Sequence, residues 1–269
     1  MPNILVTNDD GFDAIGIKEL ANAMKLLGNV VVVAPSIQRS GESKSLTFSQ
    51  PLRIRKHEDY MDGITAYSVD GTPADCVVTG RYLFNKLFQK DPDLIVSGIN
   101  SGDNTSIHAL LTSGTCAAAF EGGIFEIPSI AFSQSVHNTE LFDKSANSIK
   151  TRNNYKISAS RAREITKKVL EKGFPHPDIK FLNVNFPDDV NENTEIKVTR
   201  LCPRKYDNEI IEDKDPRGSP IYWIWGDTII NMEKNTDSYL LLKEKVITVT
   251  PISLGFGRWA IPKMEDFFD

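Results

Sequence analysis

Residues 8–11 read Asn-Asp-Asp-Gly, two adjacent carboxylates and a glycine directly after the apolar run Ile4-Leu5-Val6-Thr7. Two like charges about 4 Å apart at an effective dielectric near 20 repel by roughly 4 kcal/mol, so Asp9 and Asp10 call for a cation or a proton. Oxygen-bearing residues and glycines follow other apolar runs: Arg39, Ser40 and Gly41, then Ser97 to Asn104, then Ser113, Gly114 and Thr115 before small residues. Carboxylates, hydroxyls and amide carbonyls are hard donors, suited to Mg²⁺, Mn²⁺ or Ca²⁺ rather than zinc. A Ser-Gly-Thr start to a helix presents free N–H groups and the positive dipole end, a natural seat for phosphate. A cation on one side and a helix terminus on the other suit phosphoryl transfer.

Other chemistries find less support. The four histidines (His57, His108, His137, His176) are scattered, and only His108 lies near the loops above. Cys76, Cys116 and Cys202 are widely spaced without a CxxC pair, which argues against a disulfide framework or zinc knuckle and for a reducing, cytoplasmic setting. Net charge is −5, the wrong sign for gripping a nucleic-acid polymer. No uncharged run approaches the length of a membrane span, and "MPNILV" is not a secretory leader. Gly11 and Gly16 have GxxxxG spacing, but Ile17 and Lys18 follow where a phosphate-binding loop needs Lys and then Ser or Thr. No GxGxxG follows the first apolar run. A haloacid-dehalogenase-like phosphatase needs a nucleophilic aspartate where Asn8 stands, and a phospho-receiver module needs its acceptor where Ser97 stands.

These loops need a scaffold. The runs at 3–7 and 29–35 suit strands buried on both faces, and Ile15, Ile17, Leu20, Ala21, Met24 and Leu27 recur at helical spacing between them, with Gly28 at the expected helix end. That is a βαβ unit, hence a parallel sheet with a right-handed crossover. Thr72, Pro73 and Asp75 occupy N-cap, N1 and N3 positions of a helix over 72–88. Strands are expected at 93–100, 127–133 and 179–187, strands or extended edge segments at 46–56 and 64–69, and helices from 113 and over about 156–172, with 136–155 a polar surface insertion or partly ordered loop. Beyond Pro187 strands alternate with polar stretches and little helix. The expected fold is α/β, a doubly wound Rossmann-like, mostly parallel sheet over 1–187 with a β-rich extension over 188–269. Tyr222, Trp223 and Trp225 in that extension read either as edge-strand packing on the core or as a hairpin arm buried on a partner subunit.

"ILVTNDDGFDAIGI", "VVAPSIQRSGESKSLT", "GTPADCV", "PDLIVSGINSGDN", "SGTCAAAFEG" and "DPRG" occur in this order, and with them the chain resembles the SurE family of survival-protein nucleotidases. The resemblance implies a hydrolase of nucleoside 5′- and 3′-monophosphates, with exopolyphosphatase activity in some members, using one Mg²⁺ or Mn²⁺ per subunit. It implies Asp9, Asp10, Ser40 and Asn100 as metal ligands, with the two aspartates catalytic. Asn104, Ser113, Gly114 and Thr115 match the phosphate positions. It further implies a homodimer or homotetramer through an exchanged C-terminal arm. The loop 105–111 and the segment 136–155 depart from the family pattern, which leaves base preference open, and either metal activation or an aspartate base could generate the nucleophile.

Overall fold

The computed structural model describes residues 1–136, 149–229 and 232–255, together with Ile261 and Met264. In chain order the elements are β1 (Asn3–Thr7), α1 (Ile15–Lys25), β2 (Asn29–Pro35), β3 (Ile54–Met61), β4 (Ile64–Val69), α2 (Pro73–Phe88), β5 (Leu94–Ser101), α3 (Ser106–Thr112) and α4 (Gly114–Ile124). Then follow β6 (Ser129–Gln134), α5 (Ile149–Lys172), β7 (Ile179–Phe186), β8 (Ile196–Val198), β9 (Tyr206–Lys214), β10 (Pro220–Thr228), α6 (Asp237–Lys243) and β11 (Ile247–Ser253).

Every residue of β1 is buried, because the strand lies inside the sheet and is covered on both faces. Ile4 and Val6 pack with α1 and α5 residues such as Ile17, Leu20, Ile165 and Val169, whereas Leu5 faces the other way, toward Val77, Phe84 and Ala118 of α2 and α4. Alternate faces of one strand thus join two apolar layers, which is why its sequence is a continuous apolar run. The main sheet runs β3-β4-β2-β1-β5-β6-β7-β11-β8. The pairs from β4 through β7 are parallel, while β3 against β4 and β11 against β7 are antiparallel. From β1 the chain proceeds outward through β2 and β4, then returns to place β5 on the other flank of β1, so the strand order reverses between β1 and β5. Ligands of doubly wound sheets bind at such a point, beyond the carboxyl ends of the strands.

Several elements lie where the sequence pattern puts them. Thr72 and Asp75 form the expected reciprocal cap of α2: the Thr72 N–H donates to Asp75 Oδ2 at 2.9 Å and the Asp75 N–H to Thr72 Oγ1 at 3.1 Å. Gly28 is not a left-handed cap; α1 closes at Leu26, and a Cβ on Gly28 would lie 2.2 Å from the Pro2 carbonyl oxygen, so close chain approach requires glycine there. Residues 46–53 stay outside the strands, and β3 begins only at Ile54. Helix α5 starts earlier than the spacing suggested, so 149–155 are helical; residues 137–148 of the expected insertion lie outside the described residues.

Beyond Pro187 the chain divides. β11 and β8 complete the main sheet, so a core ending at 187 lacks two of its strands. Among the described strands β9 and β10 alone stand apart, as a two-stranded antiparallel hairpin. On it Ile210, Tyr222, Trp223 and Ile224 are exposed, at 63%, 61%, 58% and 78%, so these aromatics do not pack on the edge of their own core.

Candidate active site

The Asn8–Gly11 turn leaves β1 with its side chains and backbone held from several directions. Asn8 Nδ2 donates to the Gly11 carbonyl at 2.9 Å, and the Arg39 N–H donates to the Asp9 carbonyl at 2.7 Å, joining the loops that follow β1 and β2. α1 approaches the end of β5 so closely that a Cβ on Gly16 would fall 1.9 Å from the Ile99 carbonyl oxygen. The loop after β2 is anchored in turn: the Ser43 N–H donates to the Thr112 carbonyl at 3.1 Å, and Thr47 Oγ1 donates to Asp75 Oδ2 at 2.6 Å.

Asp9 is buried, and its Oδ1 accepts from the Thr115 hydroxyl. A Cβ on Gly114 would lie 2.7 Å from Asp9 Cβ, so only glycine lets the α4 start approach the acid this closely. The carboxylate therefore sits on the N-terminus of α4. Burial raises its pKa, while the Thr115 hydroxyl and the N–H groups of Thr115 and Gly114 act in the other direction. Asp10 Oδ2 accepts from the Ser101 N–H at 2.9 Å, at the end of β5. Its pKa is pushed up to about 7, first by burial and then by the charge of Asp9. Asn8 Oδ1, beside the pair, is buried without a hydrogen-bond partner among the described residues.

The other expected site residues are held less directly. Asn100 Nδ2 donates to the Gly102 carbonyl at 2.6 Å, which turns the amide donor away and leaves Oδ1 as an acceptor. Ser40 is exposed, its hydroxyl accepts from Gln38 Nε2 at 2.9 Å, and its neighbour Arg39 is bonded through its N–H to the Asp9 carbonyl. Asn104 is buried against the sheet, its Nδ2 donating to Ser133 Oγ at 2.9 Å and its N–H to Asn185 Oδ1 at 2.7 Å. Ser113 Oγ caps α4 by accepting from the Cys116 N–H at 3.1 Å. The direct side-chain contacts thus join Asp9 to Thr115 and Gly114, and Asp10 to the β5 end where Asn100 stands. His108 is exposed on α3.

Three roles escaped the sequence reading, which gathers Ser101 by type alone among the residues after the apolar run of β5. Ser101 contributes a backbone N–H, which residue type does not advertise. Lys205 is 1% exposed, and its Nζ lies 2.5 Å from Asp103 Oδ1, an ion pair across 102 positions of sequence. Asp237 is fully buried and accepts from the N–H groups of Ser106 (2.9 Å), Cys202 (2.7 Å) and Ser238 (2.7 Å), so it pins α3 to the chain that leads into the hairpin. No local pattern could have marked either residue.

The donor set suits a cation. Burial raises the proton affinity of both aspartates and the Asp9 charge adds to it at Asp10, while the oxygens of Asn8 and Asn100 are acceptors without a partnering donor in the contacts above. Among the described residues no group of three His, Cys, Asp or Glu side chains converges anywhere, so a cation here would rest on two carboxylates with amide and hydroxyl oxygens. Against Asp10, Gln38 and Ser101 opens a groove of about 640 Å³, bordered on its far side by Arg152 and Lys156. A larger hollow, about 1110 Å³, lies at the opposite ends of the strands around Pro2, Asp93 and Pro128, away from these groups.

Fold and site together define a doubly wound α/β protein whose switch point gathers acidic and amide oxygens against a helix N-terminus. The sequence matches the family described as Survival protein SurE over residues 4–208, and the chain belongs to that family. It is 40% identical over 254 residues to a protein of Methanothrix thermoacetophila named 5′-nucleotidase SurE, covering 94% of this chain and 93% of that one. A protein of the same name from Thermococcus gammatolerans is 39% identical over 251 residues, covering 93% and 90%. The crystal structure of the SurE protein from Aquifex aeolicus superposes over 100% of both chains with a TM-score of 0.80 at 38% identity.

Proposed function

We propose that this chain is a divalent-metal-dependent phosphatase of nucleoside 5′-monophosphates, with 3′-monophosphates and polyphosphate as further substrates. The observation that carries the proposal is the contact of Asp9 with Thr115 and Gly114, which puts a carboxylate in need of a cation and a helix start suited to phosphate in one cluster. The relatives named 5′-nucleotidase support the substrate class.

On this reading Asp9, Asp10, Ser40 and Asn100 hold one Mg²⁺ or Mn²⁺. Such an ion supplies a double positive charge and polarises phosphoryl oxygens. The start of α4 at Ser113, Gly114 and Thr115, with Asn104, faces the phosphoryl oxygens, and the positive end of its dipole favours the charge that builds on them in the transition state. A water attacking phosphorus in line would be activated either by that ion or by one of the two aspartates as proton acceptor. The Asp10 groove receives the rest of the nucleotide. We further assign the exposed face of β9 and β10 to a homodimer or homotetramer contact, since an isolated two-stranded hairpin is marginal in water and large apolar patches mark interaction sites. Three buried free cysteines accord with a reducing cytoplasm. Among the described residues no helix is long and apolar enough to cross a membrane.

A panel of 5′- and 3′-mononucleotides and polyphosphate, assayed with chelator and then with Mg²⁺ or Mn²⁺, tests the activity. Chelator should silence hydrolysis and the ions restore it; turnover indifferent to chelation refutes the scheme. Deleting 206–228 should give monomers in light scattering, and an unchanged oligomer argues against the arm.

A further inference from the structure

On the nucleotidase reading the cluster is short of positive charge. Two aspartates balance one divalent ion, and a phosphate monoester then brings about two more negative charges that helix N–H groups meet only in part. Lys205 is engaged with Asp103 at 2.5 Å, Lys18 with Asp13 at 3.2 Å and Lys44 with the buried Glu121 on α4, while Arg152 and Lys156 line the groove against Asp10.

Arg39 is held differently. Its backbone is fixed beside the acidic pair by its N–H bond to the Asp9 carbonyl. Its Nη1 reaches Glu42 at 3.1 Å, an ion pair whose side chains are 30% and 32% exposed, open enough to be exchanged. Its Nε is buried and has no hydrogen-bond partner among the described residues. A buried donor left without an acceptor costs about 1–3 kcal/mol, more for a charged group, and an arriving anion removes that cost. Burial and the Asp75 charge push the Cys76 thiol well up, and Thr7 and the Arg39 charge oppose them, in keeping with the buried Nε of Arg39. Cys76 lies in the first turn of α2, whose Pro73 a Cβ on Gly114 would approach to 3.0 Å. Arg39 therefore stands among the β1 tip, the α2 start and the α4 start, where the phosphoryl group must lie if the proposed site is correct.

We propose that Arg39 is a catalytic residue that grips the substrate's phosphoryl oxygens through its guanidinium, with Glu42 as its resting partner. A planar fork of donors suits a tetrahedral dianion better than a point charge does.

The test uses the full chain with Mn²⁺. Arg39→Gln should lower kcat for a 5′-mononucleotide about a hundredfold, the loss typical of removing one donor to developing charge. It should weaken inorganic phosphate in calorimetry by about tenfold and leave Mn²⁺ affinity, titrated by its paramagnetic resonance, within about twofold. Arg39→Lys keeps the charge without the fork and should recover less than about a tenth of kcat. Glu42→Gln should tighten phosphate by freeing the guanidinium. Phosphate affinity and kcat within about twofold of the parent in a folded Arg39→Gln or Arg39→Lys protein overturn the assignment. Asp9→Asn separates the two levels: if it keeps Mn²⁺ binding and hydrolysis, the nucleotidase site itself is misplaced, whereas an enzyme silenced by Asp9→Asn yet indifferent at Arg39 loses only the present inference.

Discussion

Asp103 and the Asp9–Asp10 pair are carboxylates of neighbouring loops, Asp9 buried and Asp10 and Asp103 partly buried, and the fold treats them in opposite ways. Asp103 is desolvated, yet the Lys205 ammonium and the Thr105 hydroxyl and N–H hold its pKa below the ordinary value. Asp9 and Asp10 are desolvated too, and among the described residues no lysine or arginine pairs with either; each rises, Asp10 partly because of Asp9. Where a permanent charge serves the architecture, the chain supplies the counter-charge itself. Where carboxylates are left facing each other, the counter-charge comes from outside, as expected of a site built to hold an ion.

The contrast can be broken at either pole. The largest effect falls on activity: Asp9→Asn or Asp10→Asn should abolish hydrolysis, by about a thousandfold or more, while the melting temperature of the metal-free protein holds or rises because a like-charge repulsion is relieved. Full activity in both variants would mean the pair is structural. At the other pole, Lys205→Met leaves Asp103 buried without its cation and should cost about 3–5 kcal/mol in denaturant unfolding, whereas Lys205→Met with Asp103→Asn should recover most of it. Equal losses in the single and double variants would show that Lys205 acts through packing alone.

The smallest effect is in pH dependence, and it has opposite signs at the two centres. A carboxylate raised in the folded state binds its proton more tightly there, so Asp10 makes the metal-free protein lose stability as pH climbs from about 4 to about 7. A lowered one, Asp103, contributes stability that is present above the unfolded value of 3.8 and lost as pH falls below it. Melting curves of wild type and Asp10→Asn, with chelator, should diverge toward neutral pH; parallel curves would remove the assigned cause.

Much of the scaffold was legible because its signals are local. The continuous apolar runs of β1 and β2, the Thr72-Pro73-Asp75 cap and the small residues behind Gly114 each reflect a requirement met within a few positions. Asp9 and Thr115 were named as site residues, but their direct contact spans 106 positions and no sequence period encodes it. The hairpin's first strand escaped for a different reason. "YDNEIIEDK" is exposed along nearly its whole length and shows no inward face to read, since it is ordered by pairing with β10. α3 and α6 have seven residues each, too few for a helical repeat to declare itself. The Lys205–Asp103 pair joins two unremarkable polar stretches, and Arg39 drew notice only as a neighbour of Ser40.

β11 lies between β7 and β8, and it is among the last elements the chain makes. During synthesis the sheet must wait with the β7 flank bare until residues 247–253 have left the ribosome, and β8, made some fifty residues earlier, has no neighbour to zip onto before then. A nascent or truncated chain that stops short of this strand shows an open ladder of amides to any other copy nearby. Translation speed and chaperone cover through the final stretch should therefore govern how much protein escapes aggregation.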